Sequence, residues 1–278
     1  MKFTKKILAL TAAALALCMA LSSCSSQRED TGVADEKNMK ISSAADLEGK
    51  AVAVQLRSAE DKFITDNGLT KYPKRYSDME KALQDLIDKK VAAVVVDSNY
   101  AQRLYEKFSK DDVKLKIVKK SIGTVEYRFK LKKSDAKLAE KLNSGIAALK
   151  ESEEYDALIK SELVSGKSYE ISKDAEKELK KTLTLVTEPS FAPFTYKNKD
   201  NVRGLFASMA DAVAYNCGAK LNLNTVEPVA DIDNVSETVK SAEKNAFCVT
   251  TEAAKDDQAD FVTTDSFYTS SLVMIIRG

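Results

Sequence analysis

The stretch LTLVTEPSFAPFTY, residues 183–196, has the pattern of a strand that opens an α/β domain. Its apolar start is followed by a Pro-punctuated turn that carries Phe191 and Phe194. A short apolar run bounded by turn residues is typical of a buried strand. This segment, which is typical of the start of a domain, nevertheless lies late in a chain of 278 residues, so the order of the segments needs an explanation.

The composition indicates a globular protein and excludes several kinds of chemistry. Hydrophobic residues make up 44% of the chain and charged residues 31%, with a formal net charge of +1. A balanced charge gives no electrostatic case for a nucleic-acid partner. The chain has no histidine, which excludes Ser-His-Asp or Cys-His catalysis and His-ligated metal sites. We therefore expect no cofactor and no metal.

The first residues have the pattern of an export signal. A basic start, MKFTKK, precedes an apolar run from Ile7 to Leu21 that is too short to span a bilayer comfortably. The next residues, LSSC, resemble a bacterial lipoprotein box, which implies cleavage before Cys24 and lipidation of its thiol. We therefore predict a lipoprotein signal over residues 1–24, a polar tether over 25–40 and a lipid anchor on the extracytoplasmic face of the membrane. The alternative is an ordinary secretory signal that happens to contain a cysteine.

From residue 41 onwards, strand-like and helix-like segments alternate. AVAVQ (51–55) predicts a buried strand, and Ser58 with Asp61 three residues later predicts a helix start. VAAVVVD (91–97) is a continuous apolar strand, as expected when both faces are covered. Further strands are predicted at 113–119, 124–133, 183–187, 219–226, 246–250 and 272–276, and helices within 78–90, at 206–216, near 232–244 and after Ser134. This alternation predicts an α/β fold with largely parallel sheets.

These segments together resemble one family, the extracellular solute-binding proteins of amino-acid-type ABC importers (family 3). TEPSFAPFTYKNKDNVRGLFASMADAVAYNCGAKL and ADFVTTDSFYTSSLVMIIRG resemble parts of the family's lobe 1. ISSAADLEGKAVAVQLRSAED and YSDMEKALQDLIDKKVAAVVVDSNYA resemble lobe 2, and LAEKLNSGIAALKESEEYDALIKSEL resembles the C-terminal helices. The resemblance implies a two-lobed, periplasmic-binding-protein-like type II fold, and it covers nearly all of residues 41–278.

The order of these pieces differs from that of the family, in which lobe 1 comes first. Here the predicted order is lobe 2 at 41–128, then lobe 1 at 129–278, made of C-terminal helices (134–164), a connector (165–181) and the lobe-1 core (182–278). We interpret the chain as one circularly permuted binding protein. The alternatives are a remnant of two fused copies and a gene-model artefact. We expect one covalent crossing between the lobes, near 124–133, and a second one completed non-covalently by strand 272–276. The connector is expected to be helical in its second half.

In such a fold, the ligand lies in the cleft between the lobes. The resemblance places Asp97 where the family carries its amino-binding aspartate; the alternative role for this residue is a helix cap. Arg57 and Ser58 lie at a predicted helix start, where backbone N–H groups favour a ligand carboxylate. The alternative for Arg57, near which the family usually has glycine, is a solvated turn.

The match to the family weakens in lobe 1. Lys255 stands roughly where the family has its carboxylate-binding arginine, and lysine lacks the planar fork of arginine; an exposed helical lysine is the alternative. Phe191 and Phe194 are candidates for an apolar wall of the cleft. Core packing is the alternative for at least one of them, and we expect Phe191 to face the ligand. These departures leave open an unusual ligand or a lobe that has lost binding.

The predicted function is capture of a small polar solute, an amino acid or a relative, for delivery to the permease subunits of an ABC importer. One alternative is a degenerate or sensory binding module without a transport role. A less favoured alternative is an enzyme on the same fold, with Glu60 and Asp97 as its acid and base. The sequence leaves open whether Cys217 and Cys248 form a disulfide.

Overall fold

The structure is a computed structural model that describes residues 40–110, 113–174, 177–228, 233–252 and 260–278. The predicted signal peptide, the lipobox with Cys24 and all of the tether before residue 40 lie outside these residues. Within the described part of the chain, no helix combines the length and apolarity needed to cross a membrane.

Strands and helices alternate along the described chain. The strands are β1 (Ala51–Gln55), β2 (Tyr72–Tyr76), β3 (Ala93–Asp97), β4 (Leu115–Lys132), β5 (Lys181–Thr187), β6 (Ser190–Phe191), β7 (Thr195–Asn198), β8 (Asn201–Arg203), β9 (Ala219–Thr225), β10 (Ala246–Thr250) and β11 (Phe261–Arg277). The α-helices are α1 (Ala59–Asp66), α2 (Met79–Ile87), α3 (Ser98–Phe108), α4 (Ala136–Lys150), α5 (Glu153–Ile159), α6 (Leu205–Asn216) and α7 (Asn234–Ser241). Short turns of 3-10 helix cover Ala44–Leu47 and Lys133–Asp135, and a π-helical turn covers Lys160–Ser165.

The main sheet has two halves with the same arrangement of parallel strands. Its strand order is β2-β1-β3-β11-β4-β10-β5-β9. At one end β1 pairs in parallel with β2 and β3, and at the other β5 pairs in parallel with β9 and β10. The antiparallel pair β4 and β11 lies between the two parallel groups. We call the β1–β3 half lobe 2 and the β5–β9–β10 half lobe 1. The predicted α/β, two-lobed, type II periplasmic-binding-protein-like fold is thus confirmed.

Both central strands pass from one lobe to the other. β11 pairs with β3 through Leu272–Ile276, and it pairs with β4 along nearly its whole length. β4 in turn pairs with β10 of lobe 1 through Arg128–Leu131. The expectation of a single covalent crossing is therefore wrong. The predicted strand 272–276 is the distal half of β11, and it completes the lobe-2 sheet although the predicted boundaries placed it in lobe 1.

Lobe 2 buries both faces of its sheet, which explains the continuous apolar runs of its strands. Along β1, Ala51 and Ala53 belong to the apolar cluster on one face, which includes residues of α2 and α3. Val52 and Val54 belong to a second cluster, which includes Ile64 of α1. Because side chains alternate across a strand, a strand covered on both faces needs apolar residues at every position.

The connector 165–181 departs from the prediction, because its described residues contain no helix after Ser165. Three of its backbone N–H groups instead donate to side chains outside the connector, those of Tyr169 to Glu162, of Ser172 to Glu154 and of Asp174 to Tyr215. These contacts satisfy N–H groups that a helix would otherwise pair internally.

The two cysteines of the described chain are free and buried. Cys217 belongs to the large apolar cluster of lobe 1, whereas Cys248 belongs to a smaller cluster beside β10. Burial raises the pKa of both thiols, that of Cys248 to about 12. The possible Cys217–Cys248 disulfide is absent from the described structure.

Gly204 lies directly before α6 and packs against the backbone of the Pro-punctuated turn after β5. Gly204 has φ +111°, and a Cβ placed there would lie 2.5 Å from the carbonyl oxygen of Pro193 and 2.6 Å from that of Phe194. Gly218, which follows α6, has φ +68° and open space around the Cβ position. The first glycine is needed for close backbone packing, and the second for its left-handed conformation alone.

We predict that Gly204→Ala lowers the free energy of unfolding by about 2–4 kcal/mol, because strain and a backbone clash act together. The matched control Gly218→Ala is expected to lower it by about 1 kcal/mol, through the left-handed backbone alone. Urea unfolding measures both. Equal losses in the two variants would contradict the close approach at Gly204.

Candidate ligand-binding cleft

A cleft of about 790 Å³ lies between the two lobes. Lobe 2 contributes the end of β1 and the start of α1, and lobe 1 contributes the ends of β5 and β10 and the aromatic turn after β5. In parallel sheets, the carboxyl ends of strands are the usual location of ligand sites. The same part of each lobe therefore faces the cleft.

Three contacts bridge the lobes at the cleft. The side-chain amide of Gln55 donates to the carbonyl of Ala192 at 2.9 Å. Arg57 pairs with Glu188 at 3.6 Å, and the Lys62 ammonium lies 3.6 Å from a carboxylate oxygen of Glu252. The side chains of Arg57 and Lys62 are 58% and 52% exposed, so these ion pairs are weak. The lobes are in contact, but little energy holds them there.

The predicted helix start at Ser58 is confirmed. The Ser58 hydroxyl accepts a hydrogen bond from the N–H of Asp61 at 3.0 Å and so caps α1. Arg57 precedes it with φ +58°, a left-handed conformation that favours glycine. Arg57 and Ser58 both line the cleft, as the sequence analysis expected of a ligand site.

Asp97 is fully buried and does not line the cleft. One carboxylate oxygen accepts from the N–H groups of Asn99 and Tyr100, at 2.8 and 3.1 Å, and caps α3. The other accepts from the hydroxyls of Tyr268 and Ser270 on β11, at 2.6 and 2.7 Å. With both oxygens engaged, Asp97 fits the alternative role of a helix cap and not that of an ammonium ligand.

The two predicted aromatic residues have different positions. Phe191 lines the cleft, whereas Phe194 is 1% exposed and stacks behind Phe191 with ring centroids 5.0 Å apart. The cleft wall continues in Tyr127 and Phe206, whose ring centroids are 4.9 Å apart. Sequence analysis did not assign either of these two residues to the site. Lys255, the remaining candidate, lies outside the described residues.

The cations that line the cleft all have acidic partners. Besides the two pairs that bridge the lobes, Arg75 donates to Asp61 at 2.7 Å and Lys130 lies 3.5 Å from Asp233. A ligand carboxylate would have to compete with one of these carboxylates for its cation. Among the described residues, the cleft therefore has no unpaired cation that could bind an anionic ligand.

Two buried polar atoms near the cleft have no hydrogen-bond partner among the described residues. They are Oε2 of Glu60, which is 3% exposed at the start of α1, and the hydroxyl of Tyr127 on β4. Burial raises the pKa of Glu60 to about 7, with a smaller contribution from the Asp97 charge and opposition from hydrogen bonds of the Glu60 N–H and Ser58. Burial also raises the pKa of Tyr127 well above its usual value, and the charges of Glu60 and Asp97 raise it further. The sequence analysis considered Glu60 only as a catalytic acid or base, and it did not consider Tyr127.

Comparison with known proteins gives only distant similarities. No family model matches the chain, and no curated protein matches it significantly. A phosphate-binding protein of a phosphate ABC transporter from Streptococcus pneumoniae is 12% identical, with a TM-score of 0.44, over 82% of this chain and 89% of its own.

Two further solved structures are similarly distant. The probable amino-acid ABC transporter extracellular-binding protein ytmK from Bacillus subtilis is 10% identical, with a TM-score of 0.42, over 82% of this chain and 83% of its own. The reduced regulatory domain of OxyR2 from Vibrio vulnificus is 9% identical, with a TM-score of 0.37, over 83% and 85%. The fold assignment therefore rests on the strand order described above, and the function has to be inferred from the cleft.

We predict that Glu60→Gln changes how stability depends on pH. A carboxyl whose pKa rises from 4.5 in the unfolded chain to about 7 in the folded chain binds more protons when folded, so wild-type stability falls as pH rises from 4.5 to 7. The loss is about 3 kcal/mol by pH 8, and Glu60→Gln removes it. Urea unfolding between pH 4.5 and 8 tests this. Parallel profiles for wild type and variant would show that Glu60 is not the buried acid described here.

Proposed function

We propose that this protein is a solute-binding protein that closes its two lobes around a small polar solute. The observation that supports this is the 790 Å³ cleft lined by both lobes at the hinge. A volume of this size is suited to enclosing a small molecule. The two crossing strands permit the lobes to move relative to each other, because each lobe keeps its own core on either side of them.

The weak contacts at the cleft rim support a binding role of this kind. Apart from the packing of Ala59 on the apolar cluster of lobe 1, closing the empty cleft gains two exposed ion pairs and one hydrogen bond, which together stabilise closure only slightly. A solute that touches both lobes adds its own contacts to the closed state alone. The solute therefore shifts the equilibrium between open and closed forms by its difference in affinity for the two.

We further propose that the solute is passed to the permease subunits of an ABC importer. In this proposal the protein is tethered by lipid on Cys24 to the extracytoplasmic face of the membrane. The lipid anchor is supported by the sequence LSSC after an apolar run, which lies outside the described residues. An amino acid or a relative is the solute class that the family resemblance implies.

A binding role is also favoured over a catalytic one. The catalytic alternative pairs Glu60 with Asp97, and Asp97 has both carboxylate oxygens engaged by four hydrogen bonds. Such a carboxylate is a poor candidate for exchanging a proton with a substrate, because each of its acceptor positions is already occupied.

We infer that the chain order is a circular permutation. Ile41 and Ile276, near the two ends of the described residues, belong to the same apolar cluster. Ile41 and Gly278 also line one pocket of about 410 Å³ at the edge of lobe 2. A short link could therefore join residue 278 to residue 40 without disturbing either lobe.

We predict that a chain rejoined in this way and reopened inside the connector 165–181 folds with the same cooperative urea transition. The connector is a suitable place for new ends, because its described backbone is irregular and partly exposed. Loss of cooperative unfolding in the rejoined chain would contradict a permuted origin. Reopening within β4 is the matched control, and it is expected to prevent folding.

We predict that a bound solute raises the stability of the protein and protects both rims of the cleft together. The full chain in detergent is screened by thermal shift against amines, amino acids and small anions, since a ligand at 100 times its Kd stabilises by about 2.7 kcal/mol. Hydrogen exchange then measures amides at 56–59 in lobe 2 and at 188–192 in lobe 1. Slowing on one rim alone, or no hit in the screen, would contradict a closing receptor.

A further inference from the structure

The charges around the cleft favour a cationic ligand. Among the described lining residues, four are basic and five are acidic. Each of the four basic side chains already lies within 4 Å of a carboxylate oxygen, in the pairs Arg57–Glu188, Lys62–Glu252, Arg75–Asp61 and Lys130–Asp233. Glu60, which lies between the lining residues Ala59 and Asp61, adds a further carboxyl. From the described lining residues, an anion entering this cleft would meet excess negative charge and no free partner.

Glu60 and Tyr127 offer two buried polar atoms that have no hydrogen-bond partner among the described residues. Glu60 lies in the first turn of α1, and its neighbour Ala59 packs against the aromatic cluster of lobe 1. Tyr127 belongs to that cluster and lines the cleft. The orphan atoms of Glu60 and Tyr127 can both accept hydrogen bonds, so a bound group that donates two of them would satisfy both.

The walls around these acceptors are aromatic. Phe191, Phe206 and Tyr127 line the cleft, with ring centroids of Phe191 and Phe206 6.4 Å apart. The faces of aromatic rings attract a cation, and more strongly when water is excluded. A protonated amine gains from this wall as well as from the buried carboxylate, whereas an anion gains from neither.

We propose that the solute is a small organic amine bound as its cation, with its N–H groups donating to the Glu60 carboxylate and the Tyr127 hydroxyl oxygen. Phe191 and Phe206 cover its apolar part, and no carboxylate on the solute is required. This inference rests on the proposed function, because it names the class of solute for the same cleft.

The proposal implies that binding depends on pH. Glu60 must be ionised to hold the cation, and its pKa in the empty cleft is about 7. Asp97 at the end of β3 is the charged group that raises this pKa further, Tyr127 faces Glu60 from β4, and the acid on its own helix, Asp61, is paired with Arg75. Binding below pH 7 therefore expels a proton, and the affinity falls up to tenfold for each pH unit.

The test uses isothermal titration of the full chain in detergent with 1,4-diaminobutane at pH 6 and pH 8. We expect binding that is about tenfold tighter at pH 8 than at pH 6. Tetramethylammonium, a cation without N–H donors, is expected to bind more weakly. Neutral 1,4-butanediol and the dianion succinate, which match the diamine in chain length, are expected not to bind.

Three variants locate the contact. Glu60→Gln is expected to weaken diamine binding at pH 8 by roughly 10- to 100-fold and to abolish the pH dependence, which corresponds to losing one charged hydrogen bond. Tyr127→Phe keeps the ring and is expected to weaken binding severalfold. Glu162→Gln is the matched control, a buried glutamate in lobe 1 that accepts hydrogen bonds from Tyr169 and Ser208, and it is expected to bind as wild type.

Different results would overturn different parts of the argument. If succinate or glutamate binds more tightly than the diamine, and Glu60→Gln does not affect that binding, the protein can still be a closing receptor. The proposal that its solute is an amine would then be wrong. The inference is also wrong if Glu60→Gln does not weaken diamine binding, or if diamine binding does not depend on pH. If no probe binds and neither rim is protected from exchange, the proposed function and the inference both fail.

Discussion

The antiparallel pairing of β4 with β11 is the interaction on which the rest of the structure depends. Each of these strands contributes its outer part to one lobe's sheet, and they pair with each other along nearly their whole length. Neither lobe completes its sheet without both strands. The buried Asp97 reinforces this arrangement, because it connects the start of α3 to two hydroxyls on β11. The candidate ligand cleft lies where the paired strands leave lobe 2 and enter lobe 1.

Sequence predicted the features of this fold that have local causes. Ser58 was recognisable as a helix cap, and the apolar runs of β1 and β3 followed from burial on both faces. The continuity of β11 was missed because its middle, around Asp265 and Ser266, is polar and interrupted by bulges. The prediction of a helix in the connector was wrong because side chains elsewhere in lobe 1 bind its backbone, and these contacts cannot be read from the connector itself.

The candidate site was predictable only in part, for a related reason. Arg57, Ser58 and Phe191 were found from their positions beside strand ends and helix starts. Asp97 also lies at a strand end that precedes a helix, yet hydrogen bonds from Tyr268 and Ser270 engage its carboxylate. Conversely, Tyr127 reads as an ordinary residue of an exposed-looking strand, and only packing reveals that it and Glu60 are buried without partners. Burial and pairing between distant segments are the information that a single sequence lacks.

The ion pairs between the two rims have a consequence for how the protein responds to its surroundings. Arg57–Glu188 and Lys62–Glu252 lie at the solvent edge, where dissolved salt screens them. The carboxyl of Glu60, which is 3% exposed, is shielded from that salt by the protein around it. Ionic strength therefore alters how readily the empty lobes meet, and it leaves the contacts deep in the cleft nearly unchanged. The resting gap between the lobes would then follow the salt concentration of the medium.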